Sequence, residues 1–186
     1  DSNANTGPRD GYCAITVRSN WGPVSEVTTH KNKKSVQQMY GNAAYAAAAC
    51  TVPAALAMFD GGAQVLHIKR LGTGGAAAKL SLSDSSSTAL VEVTALYPGT
   101  RKISVSIQEK LGDSTKKVFT VYDGAAEMEV YDFNVDSTDE TANLIAAVKA
   151  SDYVMLTHKA DGVLAPLAVA GGELQGGADP VVANTD

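Results

Sequence analysis

The glycine run Gly72–Ala77, GTGGAA, has a spacing that could bind a dinucleotide. It follows a predicted strand and matches the pattern G-x-G-x-x-A. Glu92 follows at about the sequence separation at which this motif places an acidic residue that binds a ribose hydroxyl. That chemistry requires a helix whose N-terminus faces the pyrophosphate. The next residues, Lys79–Leu82, instead alternate polar and apolar side chains as a strand does. The run is therefore interpreted as a hinge between domains, and no cofactor is predicted.

Residue types that bind metals are present but scattered. The histidines have neither an i, i+4 partner nor a Cys or Glu at metal-ligand spacing; they are His30, His67 and His158. Four carboxylates in YDFNVDSTDE could offer oxygen ligands to calcium: Asp132, Asp136, Asp139 and Glu140. The segment lacks the glycine and spacing of an EF-hand, and carboxylates at a helix N-terminus complement the helix dipole without a metal. No metal site is predicted.

Nucleophilic catalysis finds no support in the sequence either. No serine lies in a G-x-S-x-G elbow, and none can be assigned a His-Asp pair. The cysteines, Cys13 and Cys50, lie in apolar stretches where a free thiol packs as a small hydrophobe, although they would also allow one disulfide. No catalytic residue is predicted, and an enzyme is the least favoured class.

Composition excludes several other classes. The chain has 186 residues, of which 45% are hydrophobic and 19% charged, and these values are ordinary for a globular protein. A net charge of −5 and a pI near 5.1 argue against a nucleic-acid partner. No apolar run reaches the roughly eighteen residues of a membrane span, and the start, DSNANTGPRD, is too polar for a signal peptide.

Residues 1–72 are predicted to form the first part of an α/β core. The pattern reads strand, helices, strand, which is typical of a βαβ unit with parallel pairing. Pro53 suits the first turn of a helix, and Gly41 suits a helix end. The predicted elements are, in order, Cys13–Val17, Ser35–Tyr40, Ala43–Ala49, Ala54–Phe59 and Gln64–Arg70.

Residues 73–134 are predicted to form an antiparallel β-sandwich or barrel domain. The hydrophobic period there changes to two, and Ser-rich, Pro-Gly, Gly-Asp and Asp-Gly turns separate the runs. The predicted strands are Lys79–Leu82, Leu90–Leu96, Ile103–Lys110, Lys117–Tyr122 and Glu127–Phe133. The predicted fold class is therefore α/β + β, a partial α/β core with a β domain inserted into it or leaning on it.

Residues 135–186 are predicted to return towards the core as a helix and a strand. Ser137 and Glu140 have the spacing of a capping box, and the apolar face that follows ends near Ser151. Tyr153–His158 alternates as a strand. The polar, glycine-rich tail from Gly171 onward is expected to lie loose on the surface.

Four segments, in this order, resemble the sheath proteins of contractile, myovirus-type phage or prophage tails. The most informative is the strand-turn-strand ALYPGTRKISVSI. The segments are Asn20–Gly41, Ala55–Leu71, Ala95–Ile107 and Leu174–Asp179. The resemblance spans nearly the whole chain and leaves open whether the source is a phage, a prophage or a tail-like bacteriocin.

Single motifs carry this resemblance. Trp21-Gly22-Pro23 is similar to the turn after the first core strand of sheath subunits, and Ser35–Gly41 to a short helix ending in an aromatic-glycine pair. Phe59–Gly62 and the strand to Arg70 resemble the elements that precede their β domain, and Tyr97-Pro98-Gly99 resembles the turn within it. The resemblance implies an α/β core that carries a smaller β domain.

The resemblance also implies a function. Sheath subunits form hexameric rings that stack around a tail tube, so the implied partners are other copies of the subunit and the tail tube protein. Contraction drives the tube through a cell envelope, and the implied location is the virion tail, assembled in the host cytoplasm. Neither a nucleic acid nor a membrane is an expected partner.

A different class remains open, an adhesion or carbohydrate-binding β module of a virion or cell surface. Such a module needs exposed aromatic platforms, and only 6% of the residues are aromatic. The exposure of Trp21 separates the two classes, because a tryptophan at a core turn is shielded whereas a sugar platform is open to solvent.

Sheath subunits normally carry extended N- and C-terminal arms that add strands to neighbouring subunits. The chain is expected to be a fragment that lacks both arms. On its own it is therefore predicted to be a monomer, since what remains is expected to be too small for a stable interface. Sedimentation velocity at micromolar concentration checks this, and a stable hexamer or helical polymer would contradict it.

Overall fold

The computed structural model describes residues 11–41 and 50–183, and the chain divides into two compact units. The first unit contains Asp1–Gly74 and Pro180–Asp186, and the second contains Gly75–Asp179. The second unit is thus inserted into the sequence of the first. The helix predicted over Ala43–Ala49 lies outside the described residues.

The first unit is built on a three-stranded sheet in the order β1-β3-β2. Strand β1 pairs parallel with β3, as the βαβ pattern predicts, and β2 pairs antiparallel with β3. Strand β2, VTTH, has only four residues and was not predicted from the sequence. The bounds are Tyr12–Val17 for β1, Val27–His30 for β2, Lys33–Tyr40 for α1, Val52–Asp60 for α2 and Val65–Arg70 for β3.

Local capping defines the helices of this unit. The Asn32 side chain accepts a hydrogen bond from the Ser35 amide at 2.9 Å, which satisfies one free donor at the start of α1. Gly41 ends α1 with φ of +86°, a conformation that favours glycine, and its amide donates to the Gln37 carbonyl. Pro53 lies in the first turn of α2, where a missing amide donor costs nothing.

The core of the first unit lies between the two helices and one face of the sheet. Alternate residues of β3, Leu66 and Ile68, are fully buried there, together with Val36 of α1 and Val52 of α2. Burying each such side chain contributes about 1.5–3 kcal/mol. Trp21, at the turn after β1, is only 1% exposed.

A buried polar cluster joins β2 to α1. His30 Nε2 lies 2.8 Å from Thr28 Oγ1, and His30 Nδ1 lies 3.1 Å from Ser35 Oγ. Thr28 Oγ1 also lies 2.6 Å from the Tyr40 hydroxyl. Burial lowers the pKa of His30 from its ordinary value of 6.5, because desolvation disfavours the charged imidazolium.

The second unit contains two antiparallel three-stranded sheets, in the orders β4-β5-β9 and β6-β7-β8. Together with the first unit they confirm the predicted class, a partial α/β core with a β-sandwich domain. The bounds are Lys79–Ser83 for β4, Ala89–Ala95 for β5, Ile103–Glu109 for β6, Lys116–Asp123 for β7, Ala126–Asn134 for β8, Thr141–Val148 for α3 and Val154–His158 for β9.

This unit extends well beyond residue 134, where the sequence analysis ended the β domain. Strand β9 pairs with β5 over five residues, from Val91 opposite His158 to Ala95 opposite Val154. Helix α3 packs against both β8 and β9. Residues 135–179 therefore complete the sandwich. Their position depends on pairing with strands distant in sequence, and hydrophobic periodicity does not predict such pairing.

Residues Leu167–Ala178, called here the closing segment, pair first with the free edge of β6. Leu167 exchanges two main-chain hydrogen bonds with Ile107, each 2.9 Å long. The Gly172 carbonyl then accepts from the Val105 amide at 2.9 Å. A Cβ on Gly172 would lie 1.7 Å from the Val105 carbonyl oxygen, so only glycine allows this approach.

The last part of the closing segment pairs with β4. Gln175 exchanges two hydrogen bonds of 2.8 Å with Lys79, and Ala178 exchanges two with Ala76, just before β4. The prediction of a loose tail from Gly171 onward was wrong, because these main-chain groups cover an edge of each sheet. High glycine content here reflects close backbone approach.

The predicted capping box at the start of α3 was also wrong. The Ser137 side chain does not cap the helix, and the Glu140 side chain points into the interior of the unit. Asp139 takes the capping role, since its Oδ1 accepts from the Thr141 amide at 2.8 Å and from the Thr141 hydroxyl. No helix among the described residues is long and apolar enough to cross a membrane.

Replacing Gly172 with alanine is expected to destabilise the second unit by about 3 kcal/mol, because the new methyl group would overlap the Val105 carbonyl. Chemical denaturation followed by circular dichroism measures the change. Gly171→Ala is the matched control, since a Cβ there meets only Leu167 at an ordinary 3.5 Å. Equal stability of the two variants would contradict the described path of the closing segment.

The first unit is expected to lose stability as the pH falls below about 6.5, because the unfolded state then binds a proton on His30 that the folded state resists. The loss begins near the unfolded pKa and ends at the lower folded pKa. Denaturation followed by the fluorescence of buried Trp21 measures it. His30→Gln should flatten the slope in this window, whereas His158→Gln, at an exposed position, should leave it unchanged.

Candidate functional site

The structure places the glycine run Gly72–Ala77 in irregular backbone with two isolated β-bridges, and a strand rather than a helix follows it. Thr73 bridges to Val181 in the first unit, and Ala76 bridges to Ala178 in the second. Strand β4 begins shortly afterwards, so no helix N-terminus faces a phosphate position. Glu92 accepts a hydrogen bond from Lys79 at 3.0 Å, and this bond lowers the pKa of Glu92.

The histidines and carboxylates considered for metal binding lie apart. His67 contacts Thr29 at 3.0 Å and stacks on Tyr12, whereas His158 pairs with Asp161 at 2.9 Å. The carboxylates of the acidic segment bind separate protein groups: Asp132 to Lys110, Asp136 to Thr138, Asp139 to Thr141 and Glu140 to Lys117. Within the described residues no three potential ligands converge.

Two motif segments of the first unit meet at Arg70. This side chain is 1% exposed at the end of β3. Its Nε donates to the Ser19 carbonyl at 2.9 Å, and its Nη1 donates to the Gly22 carbonyl at 2.8 Å. The guanidinium therefore fixes the turn around Trp21 against the sheet, which gives the strand-ending arginine a structural role.

Two motif segments of the second unit also meet. The Pro98-Gly99 turn lies beside the end of the closing segment, where a Cβ on Gly177 would be 2.2 Å from the Gly99 carbonyl oxygen. The Asp179 carboxylate accepts from the Thr100 amide at 3.1 Å and from the Thr100 hydroxyl at 2.8 Å. The YPGT and LQGGAD motifs are thus complementary parts of one contact.

Arg101 follows this turn and is buried. Its Nη2 donates to Asp123 Oδ2 at 2.6 Å, and both side chains are at most 5% exposed. The guanidinium also lies 5.4 Å from the ring centre of Tyr153, within cation–π range. Burial raises the pKa of the Tyr153 phenol. Arg101 therefore ties β7 to the start of β9, the outer strand of the other sheet.

A second buried ion pair was missed by the sequence analysis. Lys117 Nζ donates to Glu140 Oε2 at 2.8 Å, with side chains 6% and 0% exposed. The period-two pattern of β7 contained the signal, because Lys117 alternates in phase with Phe119 and Val121, which point inward. Glu140 could not be identified in this way, since its place depends on contacts distant in sequence.

These buried polar groups connect segments that are distant in sequence. Each buried cation binds carbonyl or carboxylate oxygens, and both cysteines are free thiols. Trp21, whose exposure separates a sheath core from a sugar platform, is buried.

A family model described as the phage tail sheath protein beta-sandwich domain matches residues 73–179. The chain belongs to this family. The match covers both sheets, α3 and the closing segment, and so spans most of the chain. It confirms the resemblance to tail sheath proteins that the YPGT and LQGGAD motifs indicate. No curated protein sequence matches the chain.

Solved structures of sheath tail proteins share the fold. A sheath tail protein from Listeria innocua is 24% identical with a TM-score of 0.70, and one from Desulfitobacterium hafniense is 24% identical with a TM-score of 0.65. Each comparison covers 94% of this chain but only 36% and 37%, respectively, of the other. The chain therefore spans little more than a third of these proteins.

Replacing Arg101 with alanine is expected to destabilise the second unit of this tail sheath chain by about 3–5 kcal/mol, because it leaves the Asp123 carboxylate buried without its cation. Denaturation followed by circular dichroism measures the loss. Lys79→Ala, which breaks the exposed pair with Glu92, is the control and should change stability only slightly. Equal effects would show that Arg101 is not the buried anchor described.

Proposed function

We propose that this chain is part of a structural subunit of a contractile tail sheath, which surrounds a tail tube and shortens to drive it through a cell envelope. Its partners are further copies of the subunit, in stacked hexameric rings, and the tail tube protein. It acts in the virion tail and catalyses no reaction. The observation that carries the proposal is the match of residues 73–179 to the sheath β-sandwich domain.

The sheet of the first unit supports self-association. Among the described residues β1 pairs only with β3. The Leu71 amide donates to the Val17 carbonyl at 2.8 Å, and main-chain groups in a parallel ladder alternate in direction. The amides of Ala14 and Thr16 therefore point to the other edge of β1. An open edge of this kind accepts a strand from another segment of chain.

The outer strands differ in how well they are protected. Strand β1, YCAITV, carries no charged residue and no proline, whereas β8 carries Glu127, Glu129 and Asp132. The ladder between β7 and β8 also contains a register shift at Val121/Tyr122. Charges and bulges discourage pairing between sheet edges. We infer that neighbouring subunits pair at β1 rather than at β8.

The proposed mechanical role needs no catalytic group. Work during contraction comes from the free-energy difference between two packed arrangements of many subunits, because packed interfaces are bistable. The glycine run Gly72–Gly75 is the proposed hinge between units. Gly74 and Gly75 have φ of +72° and +84°, and a Cβ on Gly74 would meet no atom within 4 Å.

The alternative function, an adhesion or carbohydrate-binding module, needs exposed aromatic side chains that can stack on a sugar, and Trp21 does not provide one. Trp21 is 1% exposed, so it offers no face to a sugar. Tyr12 is exposed on the outer face of the first sheet, but there it stacks on His67. No specific observation favours this class over the sheath.

Antibodies raised against this chain are expected to label tail particles from its source along the whole tail, because sheath rings repeat along the tube. Immunogold electron microscopy of intact tails measures the distribution. Pre-absorption of the antibody with the purified chain is the control. Labelling confined to the tail tip or fibres would contradict the sheath proposal and favour adhesion.

A further inference from the structure

The buried pair Lys117–Glu140 has an arrangement that an ordinary ion pair does not require. Lys117 Nζ donates to Glu140 Oε2 and to the Leu164 carbonyl, each at 2.8 Å. Glu140 Oε2 also accepts from the Leu164 amide at 2.9 Å. The two reactive groups are therefore held against both main-chain groups of one residue.

The second carboxylate oxygen of Glu140, Oε1, takes no part in these hydrogen bonds. Glu140 Oε1 is buried and has no hydrogen-bond partner among the described residues. A buried carboxylate oxygen without a donor is costly, since nothing replaces the water that it bound in the unfolded chain. Phe133, the cross-strand neighbour of Lys117 on β8, is itself buried and adds apolar surroundings.

We propose that Lys117 and Glu140 form an intramolecular amide bond. The Lys117 nitrogen attacks Glu140 Cδ, a C–N bond forms, and the bond from Cδ to Oε1 breaks. Oε1 leaves as water with two protons from the ammonium, so that an ammonium and a carboxylate become one amide and one water. The step consumes no oxidant, reductant or other reactant.

The surrounding groups fit the product better than the reactants. The amide N–H donates to the Leu164 carbonyl, and the retained oxygen accepts from the Leu164 amide, in the places that Nζ and Oε2 hold now. The Leu164 amide also polarises the carbonyl group during attack. The oxygen that has no partner is the one that departs.

The bond would join β7 covalently to the start of α3, across 23 positions of sequence. Closing such a loop restricts the unfolded chain and leaves the folded one unchanged. The second unit would then resist unfolding under load at this point. This inference is independent of the proposed function, because it rests only on the contacts of Lys117 and Glu140.

Mass spectrometry of the purified chain tests the bond. The intact chain is expected to be lighter than its sequence mass by one water, both when fresh and after prolonged incubation. No Lys or Arg lies between Val118 and Val148, so trypsin should release residues 117–149 as one piece that lacks one water and is not cut after Lys117. An intact mass equal to the sequence mass, with cleavage after Lys117, would overturn the proposal.

Two controls make the result specific. The double variant Lys117→Met/Glu140→Gln keeps a neutral pair of similar size and should show its full sequence mass. Water can also be lost at an Asp-Gly step such as Asp123-Gly124, which lies in the same peptide. That product is still cut after Lys117, so a missing water found in residues 118–149 would also overturn the proposal.

Discussion

The main-chain hydrogen bonds of the closing segment are the constraint on which the second unit depends. This one stretch pairs with β6 at Ile107 and with β4 at Lys79, so it covers an edge of each sheet. An unpaired sheet edge exposes amides and carbonyls that can pair with other chains. The double pairing requires the backbone to pass close to its neighbours at Gly172 and Gly177, where a side chain would meet carbonyl oxygens. Glycine is thus required at these two positions, because the closing segment pairs with both sheets.

Buried cations provide the second level of organisation. Arg70 reaches carbonyls 51 and 48 positions away in sequence, and Arg101 and Lys117 reach carboxylates 22 and 23 positions away. Ion pairs of this kind add little net stability over apolar packing, but breaking one leaves a buried charge. A chain with one of these segments misplaced would therefore bury a charge without its partner, which would raise its free energy. Gly22 of the NWGP segment accepts a hydrogen bond from Arg70, and the YPGT segment directly precedes Arg101.

Local patterns predicted most of the elements and the fold class. The period-two runs gave β4 to β8 to within one or two residues, because apolar and polar side chains alternate along them and turn residues separate them. The failures share a cause. Strand β2, the closing segment and the inward turn of Glu140 depend on partners distant in sequence, and Ser137 had the spacing of a cap without the contact. Among the candidate sites, the spacing of the histidines was enough to argue against a metal site. Predicting the buried ion pair of Lys117 would have required both the inward direction of Lys117 on β7 and the identity of its distant partner, Glu140.

The two units differ in how well the outer strands of their sheets are protected from pairing with other chains. In the second unit the closing segment covers an edge of β4 and of β6, α3 packs against β8 and β9, and β8 carries acidic residues. In the first unit β1 has neither charge nor cover among the described residues. A closed sandwich gains nothing from another strand, whereas an apolar, uncharged edge does. Among the described residues, β1 of the first unit is therefore the strand edge with less protection against pairing with another chain.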